Sequence, residues 1–175
     1  ACCRAQLKRF PKYNATRKEF AQFLTAKLAD IPGVKGPYTP PGREPVYFSY
    51  IVEFRPQEVG LDVPVEKFKA AVQKALGAEG IGLGQWQKMP VPAQAVFQSK
   101  NGYGKGCPWT CKFYGRDIQY RGSDYPETVK FIAEHAYLSG VFPPNTMSLM
   151  KRYVEGFKKV MGRAKDIMKL VEEKK

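Results

Sequence analysis

Apolar residues recur along this chain with two different periods, and the changes of period divide it into elements. Over Asn14–Asp30, Phe20, Phe23, Leu24 and Leu28 fall at three- and four-residue steps, which makes one helix face. Pro11 lacks the N–H donor and is expected to kink or restart that helix; Ile31-Pro32-Gly33-Val34 should end it. Residues 35–45 hold four prolines and two glycines and read as an extended surface loop. Val46–Phe54 (VYFSYIVEF) is β-branched and aromatic between Pro45 and Pro56, and its nearly continuous apolar character predicts a central strand. Val65–Ala78 returns to the helical period through Phe68, Val72, Ala75 and Leu76, with Pro64 suited to its first turn and Gly77 and Gly80 to its end. Ile81–Lys88 reads as a second strand. Residues 98–125 form a long glycine-rich loop region, within which Asp117–Tyr120 is a candidate short strand. Pro126–Ala136 predicts a helix carrying Val129, Ile132, Ala133 and Ala136, followed by a short extended run over Tyr137–Phe142.

The strongest periodicity comes last. From a Thr146 N-cap, Met150, Tyr153, Val154, Phe157, Val160, Met161, Ala164, Ile167, Met168 and Val171 keep one face of a closing helix, with a solvated Lys-rich face opposite. Neither an internal repeat nor a second domain is readable, so residues 1–175 are expected to form a single domain. Helices alternating with short strands predict an α/β fold in the α+β sense: a small, mostly antiparallel sheet with helices packed on it.

Composition narrows the function classes. A chain of 175 residues, 43% hydrophobic and 13% aromatic, can build a real core and is not a disordered segment. It contains no apolar run of about 18 residues, so no membrane span is expected. The opening ACCRAQLKRFPKYN lacks the apolar centre of a secretory signal, and a cytoplasmic location is expected. The chain starts on Ala within a helical pattern, which fits a segment of a larger protein. Reduced thiols are the expectation for Cys2, Cys3, Cys107 and Cys111: the first two are adjacent and the last two lack metal-knuckle spacing, so no metal site is expected. The net charge of +13 makes a basic module for nucleic acid or another polyanion the alternative reading. Against it, the cations are scattered on helix faces, and no RNP, zinc-finger or basic-zipper signature is present.

Candidate chemistry is sparse. Gly80-Ile81-Gly82-Leu83-Gly84 follows a helix, whereas a dinucleotide fingerprint precedes one; Gly80 is therefore expected to cap a helix, and Gly82 and Gly84 to allow close backbone approach in a strand. Gln85-Trp86-Gln87-Lys88 then leads into a proline-fixed loop. Its amides can exchange hydrogen bonds with hydroxyls, its indole can stack on a sugar, and its ammonium can meet an anion. A core Trp86 with surface glutamines is the equal alternative. The loop Gly106–Cys111 is open to two readings, a binding loop or a structural turn with Trp109 docked. His135 is the only histidine and sits in a helical pattern, and no spacing pairs Glu53, Asp117 or Asp124, so no catalytic residue is assigned.

The order of four segments resembles the C-terminal part of the DegT-type sugar aminotransferases. They are AQLKRFPKYNATRKEFAQFLTAKLADIPGV, VYFSYIVEF, EKFKAAVQKALGAEGIGLGQWQKMPVPAQAVF and PETVKFIAEHAYLSGVFPPNT with the closing helix. The resemblance implies the small domain of a fold type I enzyme dependent on pyridoxal phosphate. Such an enzyme moves an amino group from glutamate or glutamine to a keto-sugar, as a nucleotide-sugar, or a cyclitol. It also implies that the Schiff-base lysine and most of the cofactor contacts lie in an N-terminal large domain, so that this chain would be inactive alone and active when joined to that domain, as a homodimer. Gly84–Gln87 matches the stretch where small-domain side chains approach the active site, which makes Gln85, Trp86, Gln87 and Lys88 the substrate-pocket candidates. Many relatives carry a histidine there, so the departure leaves the substrate open.

Overall fold

The computed structural model describes residues 2–104, 106–114, 116 and 118–172. The chain divides into two compact units, one of Ala1–Trp86 with Glu134–Lys175, the other of Gln87–Ala133.

The larger unit is a four-stranded sheet layered with helices. Its strands are β1 (Val34–Lys35), β2 (Tyr50–Phe54), β3 (Leu83–Gly84) and β4 (His135–Leu138), in spatial order β1-β2-β4-β3. Every pair is antiparallel. Alternation along β2 and β4 buries Tyr50, Val52, Phe54, Ala136 and Leu138 on one face. These join the apolar stripes of α1 (Cys2–Leu28), α2 (Val65–Ala78) and α5 (Met147–Met161) in one core, in which Leu24, Phe68, Val72, Met150 and Phe157 are fully enclosed. Each such side chain contributes about 1.5–3 kcal/mol by leaving water. Phe54 meets Phe68 edge-on, with ring centroids 6.4 Å apart. Among the described residues no helix is long and apolar enough to cross a membrane.

Helix α2 falls where its periodicity places it, and it ends as a Schellman motif. Gly80 takes φ 76°, its N–H bonds to the Gly77 carbonyl at 3.0 Å, and the Ile81 N–H reaches back to Leu76 at 2.9 Å. Gly77 itself lies inside the helix.

Several elements differ from the sequence reading. Strand β2 starts at Tyr50, not Val46, because its partners β1 and β4 reach no further; Val46 and Phe48 are exposed. The expected strand over 81–88 shrinks to Leu83–Gly84 for the same reason, with one flanking bond from the Ser139 N–H to the Gly82 carbonyl. His135 opens β4 and is not helical, since its pairing with Glu53 outweighs local helical preference. Pro11 sits within a continuous 27-residue α1, in the half whose residues 2–13 are all solvent-exposed, where water can satisfy the carbonyl that proline leaves without a donor. The closing helix is two: α5 and α6 (Ala164–Glu172), broken at Gly162–Arg163. Helix α5 packs on α1 and α2, and α6 packs on α2, so the break turns Ala164 and Met168 back into the core. Thr146 has the extended N-cap backbone, but its hydroxyl makes no capping bond.

The smaller unit contains a 3₁₀ turn over Val91–Ala93, α3 (Ala95–Gln98), a second 3₁₀ turn over Gly122–Asp124, and α4 (Pro126–Glu134), whose last residue belongs to the larger unit. Among its described residues only Pro90 and Ala133 are buried. Polar bonds and ring contacts hold it instead. The Gln98 amide donates to the carbonyls of Pro92 (2.8 Å) and Tyr120 (2.6 Å), and the Phe97 and Tyr120 rings lie 5.6 Å apart. Between α3 and Gly122 the described residues form turns and one isolated bridge, Gly104 to Cys107. Ile118–Tyr120 is in no strand, and Asp117 lies outside the described residues.

Candidate functional site

Strand β3 is the element that delivers the candidate residues, and one glycine fixes how closely it lies on β4. Gly84 pairs with Tyr137, and a Cβ at Gly84 would overlap Cζ, Cε1 and the hydroxyl oxygen of Tyr137. Close approach is therefore real at Gly84. At Gly82 it is not required, since a Cβ there would make ordinary contact with Ser139 at 3.5 Å.

Directly after Gly84 the chain presents Gln85, which is half-buried. Its side-chain carbonyl accepts a 2.9 Å hydrogen bond from the ammonium of Lys69, which also donates to the His135 carbonyl at 3.2 Å. Lys69 is 7% exposed, the only charged residue buried in the core among the described residues. Burial lowers its pKa, with Glu66 opposing weakly. The arrangement is consistent: an ammonium removed from water needs acceptors, and a glutamine amide and a strand-start carbonyl supply them. Lys69 thus ties α2, β4 and the exit of β3 together. The sequence reading missed it, although the signal was present. Lys69 lies three residues before Val72 and seven before Leu76, on the same buried stripe.

Trp86 is 76% exposed, which settles its position against the core alternative. Gln87 and Lys88 open the smaller unit. There the Gln94 amide donates to the Gln87 side-chain carbonyl at 3.3 Å, and Lys88 is exposed. The four candidates therefore divide two and two between the compact units.

The sheet face opposite the core carries a charged row, with Lys35 opposite Glu53 and Glu53 opposite His135. Glu53 accepts from Arg55 Nε at 2.5 Å, and His135 Nε2 stands 3.9 Å from its other oxygen. Glu58 closes the group: Lys35 lies 3.0 Å away, Arg55 3.4 Å, and the Gly33 N–H donates to it at 3.2 Å. Lys35 first, then the Gly33 N–H and Arg55, hold the Glu58 carboxyl below its ordinary range. These contacts brace the edge of the sheet. Among the described residues no group of three or more His, Cys, Asp or Glu gathers as a metal site would.

An aldehyde cofactor such as pyridoxal phosphate needs an accessible amine beside an anion cradle. Lys69 does not fit that need, being buried and already bonded to two acceptors. The larger unit has grooves of about 430 Å³, between the end of α2 and α5, and about 350 Å³, beside Ile31 and Met161; Lys69 lines neither. Lys151, Arg152 and Lys159 line the first, the last paired with Glu79 at 2.7 Å.

The layering of helices on this antiparallel sheet is shared with crystal structures of sugar aminotransferases. A putative sugar aminotransferase from Streptococcus pneumoniae, Spr1654, matches in its apo-form with a TM-score of 0.65 and 17% identity, over 98% of this chain and 35% of its own. Its PLP-form matches with a TM-score of 0.64 and 17% identity, over 91% and 34%. S. venezuelae DesV, solved in complex with a ketimine intermediate, matches with a TM-score of 0.64 and 17% identity, over 90% and 34%. This chain belongs to the DegT/DnrJ/EryC1/StrS aminotransferase family, whose profile matches residues 1–121. The family is one of fold type I pyridoxal-phosphate enzymes. The chain spans about a third of the length of the solved structures it matches. No curated protein matches it significantly.

Proposed function

We propose that residues 1–175 act as the small, C-terminal domain of a pyridoxal-phosphate-dependent aminotransferase. The amino group would pass from glutamate or glutamine to a keto-sugar, as a nucleotide-sugar, or to a cyclitol. The observation that carries this reading is the family match over residues 1–121 in a chain about a third as long as its structural relatives. Supporting it, Lys69 is the one deeply buried lysine among the described residues, and it is committed to Gln85 and a backbone carbonyl. The reactive amine is proposed to belong to a large domain, which also holds most of the cofactor. The cofactor supplies the electron sink for moving the amino group.

This chain's own residues shape the substrate side. Gln85, held by Lys69, offers its amide; exposed Trp86 offers a flat apolar surface; Gln87 and Lys88 offer a second amide and a cation for the hydroxyls and anionic groups of the substrate. Docked against the large domain, these residues would each help exclude water and fix the acceptor's orientation. The whole enzyme is proposed to work as a homodimer in the cytoplasm.

The test is direct. The 175-residue protein, mixed with pyridoxal phosphate, is expected to develop no visible absorbance band from a lysine-bound cofactor. Borohydride trapping of one cofactor per chain at a single lysine would overturn the proposed division of labour.

A further inference from the structure

The groove between the end of α2 and α5 carries charge that neither the core nor the aminotransferase reading uses. It has a volume of about 430 Å³ and follows α5 from Ser148 to Lys159. Over that stretch the helix rises about 16 Å, at about 1.5 Å per residue. The floor is apolar. Ile81 is 3% exposed and presses on α5 at Gly156, where a Cβ would come within 2.3 Å of its Cδ1. Half-buried Leu149 flanks it. A Cβ at Gly80 would meet nothing within 4 Å, so the groove is open on that side. One end of the rim is basic. Ser148 lies three residues before Lys151 and four before Arg152 in an unbroken helix, so its hydroxyl neighbours both cations, with Cβ atoms about 5–6 Å apart. The same end is the N-terminal end of α5, where the helix dipole is positive. The nearby acids are committed elsewhere: Glu155 lies 3.4 Å from Lys158, and Glu79 lies 2.7 Å from Lys159. Among the described residues neither Lys151 nor Arg152 has an acidic partner. Neither Lys69 nor Gln85 lines the groove.

We propose that this groove binds an organic phosphate monoester with a flat, apolar body, the phosphate on Ser148, Lys151 and Arg152 and the body on Ile81 and Leu149. The residue types suit the two parts. A guanidinium meets phosphate oxygens through two parallel N–H donors, an ammonium meets them as a point charge, and a hydroxyl adds a third donor. Charge-assisted bonds of this kind are stronger than neutral ones. They also replace the carboxylate partners that Lys151 and Arg152 lack. The apolar floor then selects the rest of the molecule. A flat ring covers Ile81 and Leu149 and removes their exposed surface from water, whereas a sugar phosphate would set hydroxyls against that floor and inorganic phosphate would leave it wet. A groove of about 430 Å³ has the size of a small-molecule site. Glu155 is the one carboxylate on the same helix turns, and its Lys158 partner offsets its repulsion of the phosphate.

The isotope-labelled protein is titrated with phenyl phosphate at neutral pH, and its backbone amides are followed by NMR. The expected result is one saturable site, with shifts centred on Gly80, Ile81, Ser148 and Gly156. Inorganic phosphate and glucose 6-phosphate keep the charge but lack a flat apolar body, and each should bind about tenfold more weakly. Phenol, which lacks the phosphate, should not bind. Uridine monophosphate identifies the body: binding as tight as phenyl phosphate assigns a nucleotide, and weaker binding assigns a simple aryl ester. Lys151→Gln/Arg152→Gln should weaken phenyl phosphate by about tenfold or more, since two charge-assisted contacts are lost. Lys8→Gln/Lys12→Gln removes the same charge from the exposed half of α1, outside the groove, and should leave binding unchanged. All four of these side chains are exposed, and far-ultraviolet circular dichroism confirms that both double variants keep the fold. Absence of saturable binding, equal weakening by the two double variants, inorganic phosphate bound as tightly as phenyl phosphate, or shifts centred on Gln85–Lys88 would overturn the proposal.

Discussion

Replacing Gly84 by alanine tests the geometry on which the candidate site rests. The added methyl carbon would overlap Cζ, Cε1 and the hydroxyl oxygen of Tyr137, the residue directly opposite in β4. These are atoms of a rigid ring, so the whole side chain must swing away. Overpacking of this kind costs about 1–3 kcal/mol. Against it stands a gain of about 0.4–1 kcal/mol, because alanine has less freedom than glycine to lose on folding. The overlap is the larger effect, with a net loss of up to about 2.5 kcal/mol and a melting point lower by up to about 10 °C for a chain of this size. Urea denaturation of a double-mutant cycle gives the sign that decides the matter. In a Tyr137→Ala background the overlap is gone, and Gly84→Ala should become neutral or stabilising by up to about 1 kcal/mol. The same cost in both backgrounds would refute the reasoning. Gly84 would then be required for some reason other than Tyr137.

Other consequences follow from the same contacts. Glu58→Gln removes a carboxylate whose folded pKa is depressed, chiefly by Lys35. The stability it contributes is present above the ordinary carboxylate value and is lost as pH falls through the folded one; chemical denaturation should therefore show the gap between wild type and variant closing on acidification. Lys69→Met keeps an apolar stem but removes the ammonium that donates to the Gln85 and His135 carbonyls. Because burial lowers the folded pKa of Lys69, the unfolded chain binds the extra proton in the window below the ordinary lysine value. This residue should thus make wild-type stability climb with pH across that window, and the climb should be smaller in the variant. Trp86→Ala, at a site 76% exposed, should change stability by less than about 0.5 kcal/mol. In an aminotransferase carrying this domain it should nevertheless raise KM for the sugar, as steady-state kinetics would show.

The two halves of the candidate site were unequally readable. Gln85–Lys88 stood out because amides, an indole and an ammonium follow a glycine-rich strand and precede prolines, all local features. What holds Gln85 did not stand out. Lys69 is separated from it by 16 residues and from His135 by 66, and only folding makes them neighbours. A lysine on an apolar stripe ordinarily reads as a residue whose ammonium reaches back to water. Trp86 was undecided for a related reason: an indole suits a core and an open surface equally well, and which of them it meets depends on chain far away in sequence.

The amino-acid sequence by itself determined the features that obey short-range rules. These are the span of α2, its Schellman end at Gly80, the apolar faces of α1 and α5, and the order of segments that marks the family. A helix completes its hydrogen bonds within itself, so its stripe and its cap are written locally. The tertiary structure alone decided where the strands stop, that His135 is extended, that the closing helix turns at Gly162, and that Lys69 is enclosed. A strand is only as long as the neighbour that pairs with it, and a charge is enclosed only if distant atoms supply its acceptors. Both conditions depend on residues brought together by the fold, beyond the reach of any local pattern.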